Sequence, residues 1–104
     1  MGGVGADMTA LSMAFVFGRI WSRDGLDRKQ RSLVTIALLI GLRQADELKN
    51  HLRIGLTNGL SPREIEEAIL QTAAYAGFPA AHVAITALAE ALADPAVSTP
   101  SRTT

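Results

Sequence analysis

The sequence predicts an all-α protein of about five helices in one domain. Three observations predict it. No proline interrupts residues 8–61. No alternation of β-branched and polar residues lasts long enough to mark a strand. Helix-capping and helix-stopping residues recur along the chain. With 104 residues and 48% hydrophobic content, the chain can bury one core, and a single domain over 1–104 is expected.

The opening "MGGVGAD", residues 1–7, is glycine-rich and reads as a flexible start. Residues 8–21, "MTALSMAFVFGRIW", form a first helix. "SRDGLD" is a turn, with Gly25 supplying a permissive backbone. Asp27 is an N-cap, and Gln30 completes its capping box. The helix it opens runs to about Leu42 and is apolar almost all round, through Leu33, Val34, Ile36, Ala37, Leu38, Leu39 and Ile40. A helix without a polar face belongs inside something. So short a chain has few other helices to cover it, and an extensive subunit interface is expected.

A third helix covers about Ala45–Thr57, stopped by Asn58 and Gly59. Ser61 caps the fourth, Pro62 suits its first position and Glu64 closes the box. Its apolar positions Ile65, Ala68, Ile69, Thr72 and Ala73 share one face, and Gly77 ends it. The last helix, near Pro79–Ala93, is alanine-rich, which favours close helix packing. The polar end, residues 95–104, reads as an unstructured tail.

Ten basic and ten acidic side chains cancel, so no net field favours nucleic acid or an anionic membrane as partner. Most of the basic residues are Arg, whose planar fork suits a carboxylated ligand or ion pairs between subunits. Solvated Arg on helix surfaces is the ordinary alternative. The chain has no Cys, which excludes disulfides, thiol nucleophiles and dithiol redox chemistry. Its longest apolar run, "LVTIALLIGL", is too short to cross a bilayer. "MGGVGADM" places no basic segment ahead of a hydrophobic one, so no secretory signal and a cytoplasmic location are expected.

Chemistry concentrates in "DELKNHLRIGLTNG", residues 46–59. Glu47 and His51, at i and i+4, lie on one helical face. A carboxylate there can fix the imidazole tautomer and raise its pKa, holding a proton ready near neutral pH as a general acid needs. The ordinary alternative is a solvated pair worth about 0.2–0.5 kcal/mol. His51 and His82 are the only histidines and a zinc centre usually wants about three protein ligands, so no metal is expected. Trp21 is either a substrate wall or a core aromatic. Tyr75 and His82 line a cavity or cap an interface. Arg19, Arg23, Arg28 and Arg31 cluster around the first turn and could grip a carboxylate or pair between subunits. "GGVG" lacks the context and the Lys of a phosphate loop.

Taken together, "IWSR.GLDR..RSLVT.AL", "EL..H", "NG" followed by "EI.E..LQ", and "YAG.PAA" closely resemble the carboxymuconolactone decarboxylase family across residues 17–85. The resemblance implies that family's compact helical fold and a homo-oligomer, typically a hexamer, with a trimer as the alternative. It implies a small carboxylated lactone as substrate: 4-carboxymuconolactone loses CO2 and becomes β-ketoadipate enol-lactone in protocatechuate catabolism. No cofactor is implied, because the lactone carbonyl itself accepts the electrons. His51 would deliver the proton, with Glu47 orienting or charging it. Arg31, then Arg23 and Arg19, would hold substrate carboxylates, while Trp21 and Tyr75 wall the pocket. His82 stands where many relatives have Asn. Lacking Cys, the chain is outside the Cys-x-x-Cys peroxidase-partner branch. Alternatives are a non-catalytic assembly module of the same fold, or an isomerase on a related substrate.

Overall fold

The computed structural model describes residues 3–97, and every regular element among them is helical. In chain order these are α1 (Gly3–Phe15), a π turn (Val16–Ile20), α2 (Arg28–Gly41), α3 (Ala45–Thr57), α4 (Pro62–Ala76) and α5 (Phe78–Ala93).

Two capping boxes set the starts of α2 and α4. Gln30 N–H donates to Asp27 Oδ1 at 2.8 Å while Asp27 N–H donates to Gln30 Oε1 at 2.9 Å. Glu64 N–H donates to Ser61 Oγ at 3.0 Å, and Ser61 N–H donates back to Glu64 Oε1 at 2.9 Å. That backbone N–H, helped by Lys29, holds the Glu64 carboxyl below its usual range. Both boxes satisfy N–H groups that a helix start otherwise leaves without partners.

The stops are glycines with left-handed backbones: Gly59 at φ +102° after α3, and Gly77 at φ +100° between α4 and α5. After Gly77 the chain turns back so that α5 packs on α4, whereas after Gly59 α4 packs on α2 rather than on α3. The core joins Ile36 and Ile40 of α2 to Leu48, Leu52 and Leu56 of α3, and Ile65 and Ile69 of α4. From α5 it takes mostly alanine, at Ala80, Ala84, Ala87 and Ala91, with Leu88. Each fully buried Leu or Ile contributes about 1.5–3 kcal/mol. Gly55 lets α3 approach α2, since a Cβ there would lie 3.0 Å from Ile36 Cδ1 and from Leu60 Cδ1. Arg53–Asp94 at 3.1 Å and Lys49–Glu90 at 3.4 Å tie α3 to α5.

Three expectations shift. The start is helical from Gly3, so residues 3–7 are not a coil; residues 1–2 lie outside the described residues. The helix extends backward from its apolar stretch across glycines, which lower helix propensity without forbidding it. α1 buries none of its residues and runs directly into the π turn. α2 buries Ser32, Ile36 and Ile40, but Val34, Leu38 and Leu42 stay exposed, Leu38 at 58%. At the other end, Val97 is buried against the core, and the rest of the expected tail lies outside the described residues. No helix among the described residues is long and apolar enough to cross a membrane.

Candidate active site

His51, Ile54 and Asn58 follow one another at i, i+3 and i+7 on α3 and share a face. The π turn crosses that face. There the Trp21 N–H reaches back five residues to the Val16 carbonyl at 2.9 Å. Phe17 and Trp21 lie with ring centroids 5.7 Å apart. Trp21 in turn stacks on the His51 imidazole at 6.3 Å and 25°. Thus Trp21 shelters the histidine, whose side chain is only 12% exposed.

Glu47 Oε2 stands 3.9 Å from His51 Nε2, close enough for charge to be felt and too long for a hydrogen bond. The carboxylate itself is mostly in water, 62% exposed. On the ring's other side, Nδ1 is buried and has no partner among the described residues. Burial pushes the His51 pKa below its ordinary value of 6.5, and Glu47 opposes this with a weaker effect. Glu47 acts in the expected direction, but burial outweighs it and the net shift is downward. Protonating the ring would place a charge in a poorly solvated pocket and leave an Nδ1–H with nothing to accept it. At neutral pH the imidazole of the free chain is chiefly neutral.

The arginines separate into distinct roles. Arg31 Nη2 donates to the Arg23 carbonyl at 3.1 Å, and its Nε is buried without a partner among the described residues. It lines a recess with Ile20, Trp21, Leu26 and Thr35. Arg19 and Arg23 are exposed, and among the described residues neither side chain pairs with a carboxylate. Arg28, from the first turn of α2, lines a second hollow of about 250 Å³ with Phe17, Trp21, Ser22, Ile54 and Asn58. Asn58 Nδ2 donates to Ser32 Oγ at 3.0 Å, and Ser32 is fully buried.

Sequence reasoning counted Arg28 only within the cluster, read Asn58 only as a helix stop and passed over Ser32. Two signals pointed to them. Asn58 is on the His51 face, and Ser32 is a polar residue in register with the buried Ile36 and Ile40, where it needs a partner.

Tyr75 and His82 are not brought to this cluster. Tyr75, 87% exposed, borders an apolar groove with Leu38, Gly41 and Leu42. His82 sits on exposed α5 surface beside Glu66, Leu70, Phe78 and Ile85. Neither lining shares a residue with the hollows around Trp21. Among the described residues, no group of three or more His, Asp or Glu is placed to hold a metal ion.

The sequence of this chain has counterparts among known proteins. The carboxymuconolactone decarboxylase family matches residues 6–90, and the chain belongs to that family. It is 49% identical over 71 residues to 4-carboxymuconolactone decarboxylase of Acinetobacter baylyi, covering 68% of this chain and 53% of that protein. It is 48% identical over 65 residues to nitrosuccinic acid decarboxylase of Metarhizium robertsii, covering 62% of this chain and 46% of that one. An uncharacterised 15.0 kDa protein of Paracoccus denitrificans is 37% identical over 71 residues, covering 66% of this chain and 53% of that protein. The chain spans about half the length of these relatives.

Proposed function

We propose that this chain decarboxylates 4-carboxymuconolactone or a similar small carboxylated lactone, in aromatic-compound catabolism through β-ketoadipate. The names of two relatives support decarboxylation. The observation that carries the reading is the imidazole of His51, held out of water under Trp21 next to hollows lined by Arg28 and Arg31.

In the lactone, the departing carboxylate sits on a ring carbon conjugated through a double bond to the carbonyl. The bond to CO2 breaks, and its electron pair spreads to the carbonyl oxygen as a dienolate. A proton then enters at the carbon next to that carbonyl, giving the enol-lactone. The substrate supplies its own electron sink, so the reading asks for no cofactor. The protein's tasks are to bind carboxylates, stabilise the oxyanion and deliver the proton.

His51 is the proton donor in this reading. Its neutrality in the free chain fits a donor charged by its substrate. An arriving anionic acid raises the imidazole pKa through its charge. Glu47, facing Nε2, favours the charged form and orients the ring. Arg31 supplies positive charge behind Trp21.

The same proposal includes self-association into a homo-oligomer, a hexamer or a trimer. The exposed Val34–Leu38–Leu42 stripe of α2 and the unburied α1 support it.

The test is incubation of the full chain with 4-carboxymuconolactone and, separately, nitrosuccinate, following ultraviolet absorbance and released CO2. One CO2 per acid consumed is expected. Absorbance change without CO2 would replace the reading with an isomerase. No change, together with no ligand-induced rise in melting temperature, would leave a non-catalytic module.

A further inference from the structure

Resting on the decarboxylase reading, a narrower statement about the substrate is available. The two acids named for the relatives, 4-carboxymuconolactone and nitrosuccinic acid, differ in their electron sinks, a lactone carbonyl and a nitro group. They share one fragment. In both, the carbon that can lose CO2 also bears a CH2–COO⁻ arm, so both contain a succinate unit. One carboxylate leaves and the other stays.

We propose that the hollow between the π turn and α3 is the seat for this retained carboxymethyl arm, making the site selective for substituted succinates. Arg28 and Asn58 bind the carboxylate that stays. Ser32 is a positioning residue that fixes the Asn58 amide.

Four observations converge on this seat. The hollow is about 250 Å³, below the roughly 300–1,000 Å³ of drug-sized sites, so a small acid suits it. Its polar lining is the Arg28 guanidinium, the Asn58 amide and the Ser22 hydroxyl, with no carboxylate to repel an anion. Among the described residues neither Arg28 nor Arg31 makes an ion pair, but one Arg31 nitrogen already donates to the Arg23 carbonyl while Arg28 faces the hollow. Asn58 uses one N–H on Ser32, which leaves the second N–H of the same amide to donate to a ligand.

Spacing then orients the acid. Asn58 lies seven residues beyond His51 on the same helical face, about 10 Å along the axis. With the retained arm at Arg28 and Asn58, the rest of the molecule extends along α3 toward Trp21 and His51. In the lactone, the carbon that receives the proton is across the ring from the carbon bearing the arm. The arm and the proton donor therefore belong at opposite ends of the site.

Trp21 lines the hollow and is the only tryptophan in the chain, so its fluorescence reports occupancy without turnover. Succinate is the probe: it carries the arm and lacks a sink, so it binds without reacting. Titration should change Trp21 emission saturably, with acetate much weaker. Arg28→Gln and Asn58→Asp should each weaken succinate at least tenfold, the loss expected for a hydrogen bond to a charged group. Ser32→Ala should weaken it less, and should raise KM for a reacting acid with kcat nearly kept. Arg63→Gln, on exposed α4, is the control and should change nothing. The indole N–H resonance of Trp21 provides a second readout, and circular dichroism checks folding of each variant.

No succinate response in emission or resonance, or unchanged affinity in folded Arg28→Gln and Asn58→Asp, overturns the seat. Its failure is distinguishable from failure of the decarboxylase reading. Turnover with KM unchanged in Arg28→Gln removes the seat and keeps the enzyme. Arg28-dependent succinate binding, with no CO2 released from either acid, keeps the seat and removes the enzyme.

Discussion

Around Trp21 the protein gathers polar atoms without partners; around Tyr75 it exposes apolar surface without a cover. The first region holds His51 Nδ1 and Arg31 Nε, both buried and unpaired among the described residues. The second holds Leu38, Leu42 and Tyr75, all more than half exposed, along a groove lined by no charged residue. These are different unmet demands. An unpaired buried nitrogen is relieved by a charged or hydrogen-bonding ligand, whereas an uncovered aliphatic stripe is relieved by another apolar surface. Under the proposed function, chemistry belongs to the first region and assembly to the second.

The strongest test of that division is His51→Ala, which should lower turnover on the acid that releases CO2 by about 100- to 10,000-fold. The variant should keep its oligomeric mass in light scattering. A near-normal rate would take the imidazole out of the reaction. On the Tyr75 side, Leu38→Glu puts a charge into the exposed stripe. We expect a drop in assembly mass by sedimentation while the far-ultraviolet circular dichroism stays helical. An unchanged mass would move the interface elsewhere.

A smaller effect sharpens the comparison through pH. His51 has a folded-state pKa below 6.5, its ordinary value in the unfolded chain. Above that pH both states are neutral at this residue and the folded chain keeps its full stability. As the pH falls below 6.5, the unfolded state takes up the proton first, and stability drops until the lowered folded pKa is passed. Melting temperature should therefore fall between about pH 7 and pH 5, and fall less in His51→Phe, with wild type at each pH as reference. An identical slope in the variant would mean the imidazole is not buried as described.

Much of the fold could be read locally. Asn58-Gly59 and Ser61-Pro62-x-Glu64 bracket a turn with residues whose backbone preferences leave few options, and the ends of α3 and α4 fall there. The π turn has no such signature, because a five-residue hydrogen-bond step leaves no hydrophobic period of its own. The Glu47–His51 pair was visible as i, i+4 spacing. The outcome of their competition was not, since the charge effect is local and the burial comes from Trp21, thirty residues upstream. Tyr75 shows the same limit from the other side. An amphipathic ring in a sequence does not say which cavity it faces, and α4 carries it away from the histidine.

Gly55 sits between the His51 and Asn58 turns of α3 and touches α2 where Ser32 and Ile36 lie. A methyl group in its place would press on the Cδ1 atoms of Ile36 and Leu60, which would have to give by a few tenths of an ångström. Arg28 belongs to α2 and Asn58 caps α3, so the spacing of these two helices sets the gap between their head groups. The missing side chain at Gly55 thus helps set the width of a cleft that its own neighbour Ile54 lines.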